Sequence, residues 1–380
     1  MKKFKNIPFN KFDTIGNELN YLRDAINLGH ISGDGIFTKK CNELLEDELQ
    51  VKKCMLTTSC THALELSALL LEIDREDEII VPSFTFSSTA NSFVLHGAKP
   101  IFIDIRSDTL NMDQDLIEPL ITKKTKAIVP VHYGGVGSEM DKICKIAKEN
   151  NIHVIEDNAH GLFAKYKGKY LGTFGTFSTQ SFHETKNFTC GEGGALLIND
   201  QSFIERAGNI MDKGTNRQQF LNGLVDKYSW IDYGSSYRPS ELLSAFLYAQ
   251  LEKHKQIQKK RKSIWDKYFS NLFEWAKNNN VALPVVPKHC ESSYHLFYLI
   301  MPNRKIRDFF INKLKENNIM ALFHYIPLHN SKMSVRVGWD KTSCPISISS
   351  SERLVRLPIY HSLADEEIEF IINTILNVKF

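Results

Sequence analysis

A lysine and an aspartate, each near the end of a predicted strand, are the residues best suited to do chemistry in this sequence. Lys186 closes the run Ser181–Lys186 and is followed by the glycine cluster Gly191-Glu-Gly-Gly194. Asp157 follows the apolar run Ile152–Ile155. A lysine amine can condense with an aldehyde, and a carboxylate can keep a pyridine nitrogen protonated so that the ring accepts electrons. The pair predicts a pyridoxal 5′-phosphate (PLP) site and therefore an enzyme.

A second group of residues can hold the phosphate and the ring of such a cofactor. Ser59, Cys60 and Thr61 open a predicted helix, whose unpaired N–H groups and positive dipole end attract a phosphate. The plain alternative is an N-cap by Ser59 or Thr61. Ser181 can add a hydroxyl group, and Phe86 offers a ring to stack on a flat heterocycle, although an aromatic residue after a strand more often belongs to the core.

Each of these residues also has a structural interpretation. A lone lysine is usually exposed, so Lys186 by itself would be read as a surface residue. Asp157 by itself would be read as a helix cap, and His160 and His183 as structural histidines. The combination of Lys186 with Asp157 favours chemistry over these alternatives. Phosphate-binding motifs of the type G-x-x-x-x-G-K-[ST] or a strand-linked G-x-G-x-x-G are missing, so nucleoside triphosphate and dinucleotide sites lose their main support.

The elements that position these residues alternate between strands and helices over the first 200 residues, which predicts an α/β fold with a mainly parallel sheet. The predicted strands are Cys54–Thr58, Glu78–Val81, Pro100–Asp104, Ala127–Val131, Ile152–Glu156, Thr176–Phe182 and Ala195–Asn199, and the last two can include an antiparallel member. The predicted helices between them are Thr61–Leu71, Ser87–Leu95, Asp113–Leu120 and Glu139–Asn150. In an open α/β sheet the ligand crevice lies beyond the carboxyl ends of the strands, where Ser59, Asp157 and His183 all fall.

The pattern changes near Pro239, which predicts a large α/β domain over residues 1–250 and a smaller α+β domain over 251–380. Long helical stretches cover Glu241–Leu251 and continue to Trp265–Trp275. Strands near Ser293–Ile300 and Ala321–His324 and helices at Ile306–Asn317 and Asp365–Asn377 complete the second domain. Residues 213–240 are rich in Gly, Asn, Ser and Tyr and predict an ordered functional loop.

Composition excludes several classes of protein. The net charge is +3, from 47 Lys+Arg against 44 Asp+Glu, so nothing favours nucleic acid as a partner. No apolar run reaches membrane-spanning length, and no signal-peptide core follows Met1-Lys-Lys-Phe4, which predicts a cytoplasmic protein without a membrane partner. The seven cysteines have scattered spacing and the histidines are dispersed, so reduced thiols and no metal site are expected.

Five motifs, spread in order over essentially the whole chain, resemble the DegT family of sugar-nucleotide aminotransferases. They are Pro82-Ser-Phe-Thr-Phe86, Glu156-Asp-Asn-Ala-His160, Ser181-Phe-His-Glu-Thr-Lys186, Gly191-Glu-Gly-Gly194 and Tyr325-Ile-Pro-Leu-His329. The resemblance implies the PLP-dependent transferase fold type I, with a large mainly parallel sheet domain and a smaller α+β C-terminal domain. It also implies a homodimer whose active sites lie at the subunit interface.

The resemblance further implies roles for particular residues. Lys186 would bond to PLP, Asp157 would pair with its pyridine nitrogen and His160 would lie near the ring hydroxyl. The implied catalytic residues are therefore Lys186, Asp157 and His160. The cofactor-binding residues would be Ser59, Cys60, Thr61, Phe86, Asp157, His160, Ser181, His183, Lys186 and, from the stretch 227–238 that would reach into the partner's site, Ser236. The candidate substrate-binding residues are Lys213, Arg217, Tyr233, Arg238, Tyr325 and His329.

The expected substrates are L-glutamate and a nucleotide sugar. The segments Lys213–Arg217, Asp226–Trp230 and Gly234–Tyr237 look most like those of family members that aminate the C4 ketone of dTDP-4-keto-6-deoxy-D-glucose. Amination at C4 with the gluco configuration, amination at C3, and a non-catalytic protein on the same fold stay open. A sugar 3-dehydratase is a further alternative, but related dehydratases carry histidine where this chain has Lys186.

Overall fold

The strands and helices below belong to the computed structural model, which describes residues 6–339 and 341–379; the N-terminal run Met1–Phe4 lies outside these ranges. The strands are β1 (Lys53–Thr57), β2 (Glu78–Pro82), β3 (Lys99–Ile103), β4 (Thr125–Ile128), β5 (His153–Asp157), β6 (Lys165–Tyr166), β7 (Lys169–Tyr170), β8 (Phe177–Ser181), β9 (Gly194–Ile198), β10 (Cys290–Glu291), β11 (Tyr298–Ile300) and β12 (Leu354–Arg356). The helices are α1 (Glu18–Asn27), α2 (Ile36–Leu49), α3 (Cys60–Leu70), α4 (Ser88–Val94), α5 (Met140–Glu149), α6 (Ile204–Met211), α7 (Arg217–Leu221), α8 (Glu241–Glu252), α9 (His254–Asn278), α10 (Arg304–Glu316), α11 (Lys332–Val337), α12 (Pro345–Arg353) and α13 (Asp365–Leu376).

Seven of these strands form one sheet in the order β1-β9-β8-β5-β4-β2-β3. The pairs among β8, β5, β4, β2 and β3 are parallel, whereas β9 runs antiparallel to both of its neighbours, β8 and β1. The predicted α/β architecture is confirmed, including the antiparallel member among the last two predicted strands. All seven predicted strands are present and their ends differ from the prediction by a few residues.

Helices cover both faces of the sheet, as expected when strands are apolar on both sides. Successive side chains of a strand point to opposite faces. On one face Ile79 and Ile155 pack with α3 and α6, and on the other Ile80 and Val154 pack with α5. The central strands are therefore shielded from water, and their carboxyl ends are left as the place for a site.

The C-terminal part of the chain builds a separate apolar cluster around the β11–β12 pair. Side chains of α9, α10 and α13 surround Phe297, Leu299 and Val355, and Ile7 from near the N-terminus joins the same cluster. The predicted strand Ala321–His324 is wrong, because only Leu322 forms an isolated bridge, to Arg356. The predicted division after residue 250 falls inside α8, and the two-domain organisation stays a prediction.

Two other predictions need correction. The predicted helix Asp113–Leu120 is replaced by two short 3₁₀ turns, Gln114–Leu116 and Glu118–Leu120, because the Asp113 side chain caps the first turn and Pro119 interrupts the backbone hydrogen bonding. Helices α1, α2, α6, α7, α11 and α12 were not predicted. Within the residues described, no helix is long and apolar enough to cross a membrane.

The start of β9 lies directly against the start of α3. Gly194, the first residue of β9, approaches the backbone of Ser59 and Cys60 so closely that a Cβ atom would overlap both residues. Glycine is the residue that allows such an approach of two backbones. The contact brings the turn that carries Lys186 next to the helix end that was predicted to bind phosphate.

Gly194→Ala should therefore destabilise the protein by about 1–3 kcal/mol, because two backbone segments must separate to admit a methyl group. Chemical denaturation monitored by circular dichroism measures this free energy of unfolding. Gly208→Ala in α6 is the matched control, since a Cβ there meets open space. It should be neutral or slightly stabilising. Equal stability of the two variants would show that the close approach does not constrain the fold.

Candidate active site

Two neighbouring acids end β5 and point to opposite sides of the sheet. Asp157 is buried, with Oδ2 accepting a hydrogen bond from the Thr89 hydroxyl at 2.7 Å and Oδ1 accepting from the Ala159 N–H at 3.2 Å. Glu156 is fully buried on the other side, where it accepts from three backbone N–H groups of the segment 172–175 and lies 3.0 Å from His132 Nε2. Glu156 therefore anchors the strand end, and two hydrogen bonds orient the carboxylate of Asp157 on the opposite side.

Lys186 lies in the turn between β8 and β9, where its N–H donates to the carbonyl of His183 at 2.9 Å. Burial lowers the pKa of Lys186, and the nearby Cys60 and Asp157 oppose that shift. Burial likewise raises the pKa of the Cys60 thiol to about 12, with Asp157 adding to the shift and Lys186 opposing it. The side chains of Lys186, Cys60 and Asp157 therefore interact electrostatically. A lowered pKa increases the fraction of neutral amine, which is the nucleophilic form.

The start of α3 offers hydrogen-bond donors beside this group. Ser59 is the N-cap, as the plain interpretation held: its Oγ accepts from the His62 N–H at 3.1 Å. The Thr61 hydroxyl donates to Ser88 Oγ at 2.9 Å. The first N–H groups of a helix have no intrahelical acceptor, so those of Cys60 and Thr61 remain for a ligand. Capping and anion binding are thus compatible at this end of the helix.

A cluster of a tyrosine and three histidines lines the region next to the lysine turn. The Tyr133 hydroxyl lies 3.0 Å from His324 Nδ1, and its ring centroid is 5.9 Å from that of His160. The rings of His160 and His295 are 4.4 Å apart, and His295 Nδ1 donates to Asn187 Oδ1 at 2.9 Å. Burial lowers the pKa of all three histidines well below the usual value, so they are neutral near pH 7.

Four other predicted site residues, two from the first 200 residues and two from the C-terminal part, differ in exposure and in contacts. Phe86 is exposed, with its ring 6.4 Å from that of Tyr325, which stacks on His324. His183 Nδ1 is 2.9 Å from the Thr185 hydroxyl and its ring is partly exposed. His329 is buried and contacts Ser83 through Nδ1 and its N–H. It therefore ties the Tyr325–His329 motif to the Pro82–Phe86 motif, a structural contact that sequence reasoning did not foresee.

The candidates on the segment 213–238 lie apart from Lys186 in this chain. Ser236 is exposed and bridges to Asp212, and Tyr233 is 76% exposed. Lys213 and Arg217 also face Asp212, and Arg238 Nη1 lies 2.9 Å from Asp34 Oδ1. Across residues 6–339 and 341–379, none of these five candidates is hydrogen-bonded or ion-paired to Lys186 or Asp157.

Sequence reasoning missed several polar side chains that the fold brings to this region. They are Thr89, Tyr133, Thr179, His295 and Arg356. The sequence could have indicated two of them. Tyr133 follows the end of a predicted strand. Thr179 lies two residues before Ser181, so both side chains are on the same face of their strand. Nothing in the sequence indicated His295 and Arg356, because they come from the distant C-terminal part.

A parallel-dominated sheet with a half-buried lysine, a buried aspartate and a helix end at the same edge fits an enzyme that binds PLP. Residues 13–376 match the DegT/DnrJ/EryC1/StrS aminotransferase family, and the chain belongs to this family. The chain is 30% identical over 380 residues to the GDP-perosamine synthase of Escherichia coli O157:H7, covering 98% of each. It is 31% identical over 336 residues to the spore coat polysaccharide biosynthesis protein SpsC of Bacillus subtilis, covering 86% of this chain and 85% of the relative.

A solved structure gives the same result for the fold. Spr1654 of Streptococcus pneumoniae, named as a sugar aminotransferase, matches in its PLP-form with a TM-score of 0.89 at 28% identity, over 97% of each chain. The expected fold type I architecture is confirmed. The protein is a PLP-dependent sugar aminotransferase, and PLP is its cofactor.

The residues present fit this cofactor. Thr179 Oγ1, paired in register with Asp157, is buried without a hydrogen-bond partner within the described chain, which leaves a donor for a ligand. Gly194 brings the lysine turn against the start of α3, where backbone N–H groups can take a phosphate. Asp157 presents a carboxylate and Lys186 an amine with a lowered pKa. Asp157, Lys186 and the start of α3 therefore provide a carboxylate, an amine and a binding site for an anion within one region.

The buried histidines should make stability fall with acidification. Their pKa values are lowered on folding, so below pH roughly 6.5 the unfolded chain binds protons that the folded chain does not. For each such histidine, the free energy of unfolding then decreases by about 1.4 kcal/mol for every pH unit of acidification. Urea denaturation of the apoprotein between pH 7 and pH 5 measures this slope.

His295→Gln should reduce that slope by about the contribution of one proton, because glutamine keeps a donor for Asn187 but does not titrate. His30→Gln, at an exposed position, is the matched control and should keep the wild-type slope. The same slope in all three proteins would show that protonation of the cluster does not limit stability in acid.

Proposed function

We propose that this enzyme transfers the amino group of L-glutamate to the C4 ketone of dTDP-4-keto-6-deoxy-D-glucose. The product would be dTDP-4-amino-4,6-dideoxy-D-galactose, used for surface polysaccharide such as the O-antigen of lipopolysaccharide. The observation that carries the proposal is the half-buried position of Lys186 in the turn after β8, where Cys60 and Asp157 act on its pKa and His160 is neutral. Residues 213–237 resemble the same segment of DegT-family members that use this sugar, which supports our choice of substrate. A cytoplasmic location stays a prediction.

PLP would be held by residues from four segments of the chain. Its phosphate would lie at the start of α3, on the N–H groups of Cys60 and Thr61 with the hydroxyl groups of Ser59 and Ser181. Asp157 would face the pyridine nitrogen, and the Thr89 hydroxyl would keep that carboxylate oriented. When bound, the cofactor supplies an electron-accepting ring that stabilises negative charge at the carbon bonded to nitrogen.

Further contacts to the ring would come from three aromatic side chains. Phe86 would stack on its open face. His160, whose Nδ1 accepts from the Gly134 N–H at 3.3 Å, has Nε2 left to donate to the ring hydroxyl. His183 would border the lysine turn. These roles follow from the resemblance and from the positions of the residues at the same end of the sheet.

Lys186 would move the protons in both halves of the reaction. With its neutral amine it would take the proton from the α-carbon of glutamate. Water would supply the keto oxygen of the departing 2-oxoglutarate, and the amino group would stay on the cofactor for the second substrate. In the second half Lys186 delivers a proton to C4 of the sugar, and the face of delivery sets the galacto or gluco configuration. Asp157 assists at both stages because its negative charge favours the protonated ring nitrogen.

The nucleotide sugar would be bound at the mouth of the site. Tyr325, stacked on His324, would border the sugar, whereas the buried His329 would act by holding that loop on Ser83. Arg238, Lys213, Arg217 and Tyr233 are our candidates for the phosphates and the base. Because Arg238 is already paired with Asp34, an anion there would compete with that carboxylate.

A second candidate substrate is a GDP-linked 4-keto sugar. The similarity to the GDP-perosamine synthase of Escherichia coli O157:H7, at 30% identity over 98% of each chain, favours this alternative. The chemistry at C4 would be identical, and only the nucleotide and the sugar configuration would differ.

Incubation of the holoenzyme with glutamate and dTDP-4-keto-6-deoxy-D-glucose should give an amino sugar with axial nitrogen at C4, read from proton couplings by NMR. The GDP-linked 4-keto sugar should react more slowly. Lys186→Ala should give no product, because the variant lacks the amine that would move the protons. Equatorial nitrogen would indicate the gluco product, and faster turnover of the GDP sugar would support the second candidate. Reaction only with 3-keto isomers would refute amination at C4.

We also propose that two chains share each active site. The segment 220–233 exposes large apolar side chains, among them Leu224 at 73%, Trp230 at 78% and Tyr233 at 76%. Exposed apolar patches with aromatic residues are typical of protein interfaces. A partner chain would cover this segment and would receive Ser236 at its cofactor phosphate.

Mixing two inactive variants tests this arrangement. Ser236→Asp should block phosphate binding in the partner's site by charge repulsion, and Lys186→Ala should inactivate its own site. Random mixed dimers should recover about one quarter of the wild-type activity, since half are mixed and each has one intact site. Ser235→Asp is the matched control and should stay active alone. No recovery in verified mixed dimers would show that each chain builds its own site.

A further inference from the structure

The side chain of Arg356, the last residue of β12, points to the cluster around Tyr133. Arg356 lies opposite Tyr298 in the β11–β12 pair and opposite Leu322 in an isolated bridge. Directly opposed residues share one face of a sheet, and every second residue of an extended chain returns to that face. His324, two residues after Leu322, thus joins Arg356 and Tyr298 there. Tyr133 contacts this face through the Tyr298 ring and the His324 Nδ1.

The guanidinium group of Arg356 is held in place but its charge is not neutralised. Nη2 donates to the carbonyl of Phe323 at 2.9 Å, and Cζ lies 4.5 Å from the ring centroid of Phe9, a cation–π distance. In the part of the chain that the structure describes, Nε is buried without a partner and no carboxylate forms an ion pair with Arg356. A guanidinium has five N–H donors, so several remain for an anion.

The charge of Arg356 reaches the residues that surround the reaction. Burial lowers the pKa of Lys186, His160 and His324, and the charge of Arg356 adds to each shift. Burial also lowers the pKa of Arg356, as expected for a cation that lacks an acid partner. The contacts of Tyr133 with Tyr298, His324 and His160 agree with these shifts and join the face that carries Arg356 to the region next to the lysine turn.

We propose that Arg356 binds a carboxylate of the amino donor, an inference that rests on the proposed use of L-glutamate. The reacting α-carbon of glutamate carries one carboxylate, and the other follows after a short chain, so both lie near Lys186. The diphosphate of a nucleotide sugar is attached at C1, across the sugar ring from the reacting C4, and lies further away. A guanidinium holds a carboxylate through two parallel hydrogen bonds, a geometry that an ammonium group cannot reproduce.

Arg356→Met and Arg356→Lys holoenzymes test this role when each half-reaction is followed separately by cofactor absorbance. Arg356→Met should raise the glutamate concentration for half-maximal rate roughly 10- to 100-fold, and Arg356→Lys should raise it less. The half-reaction with the nucleotide sugar should change by less than roughly threefold. Arg353→Met is the matched control, since Arg353 ends α12 and donates to the Ser349 carbonyl; it should leave both half-reactions unchanged.

Calorimetric binding of glutarate, a dicarboxylate without an amino group, gives a readout that does not depend on turnover. Arg356→Met should weaken the affinity for glutarate by roughly the same 10- to 100-fold factor. The cofactor content and the melting temperature of the variant should stay unchanged. Unchanged affinity for glutamate and glutarate would overturn the inference, as would a defect confined to the sugar half-reaction. A wild-type enzyme that reacts with glutamate but with no 4-keto nucleotide sugar would refute the proposed function and leave the role of Arg356 intact.

Discussion

The placement of two adjacent carboxylates at the end of β5 is the constraint on which the rest of the site depends. Because successive side chains of a strand alternate, Glu156 and Asp157 must leave on opposite sides. Glu156 is fully buried and its hydrogen bonds tie the strand to the segment 172–175 and to His132. That anchoring holds the backbone in one position, so the neighbouring Asp157 needs only the Thr89 hydroxyl and the Ala159 N–H to orient its carboxylate.

Three separate supports bring the other groups to this acid. The close approach of Gly194 to the start of α3 sets the lysine turn beside the helix end. The Asn187–His295 hydrogen bond connects that turn to the C-terminal part of the chain. The C-terminal part in turn contributes the rings of His295 and His324 and the guanidinium group of Arg356. Burial and the charge of Arg356 both favour the neutral amine that the chemistry needs, against the opposing effect of Cys60 and Asp157.

The sheet was largely predictable from the sequence because its strands are short apolar runs bounded by polar turns, a pattern that local physics produces directly. The predictions of strands and helices were wrong or incomplete where tertiary contacts, and not the local sequence, decide the secondary structure. The run 321–324 has strand-like residues, yet only Leu322 finds a partner strand, in a single bridge to Arg356. Helices α1 and α2 were missed although α2 is stabilised by Glu241, which lies 200 residues away and accepts hydrogen bonds from Gly35 and Phe37.

Sequence alone determined the kind of chemistry, because Lys186, Asp157 and the glycine cluster are close to strand ends that any parallel sheet must bring to one edge. It also indicated the family, through motifs with local order. Only the tertiary structure decided which side chains complete the candidate site: His295 and Arg356 come from segments that no periodicity connects to Lys186. The physical reason is that burial, shared faces and unneutralised charge are properties of packed elements, and a linear pattern does not contain them.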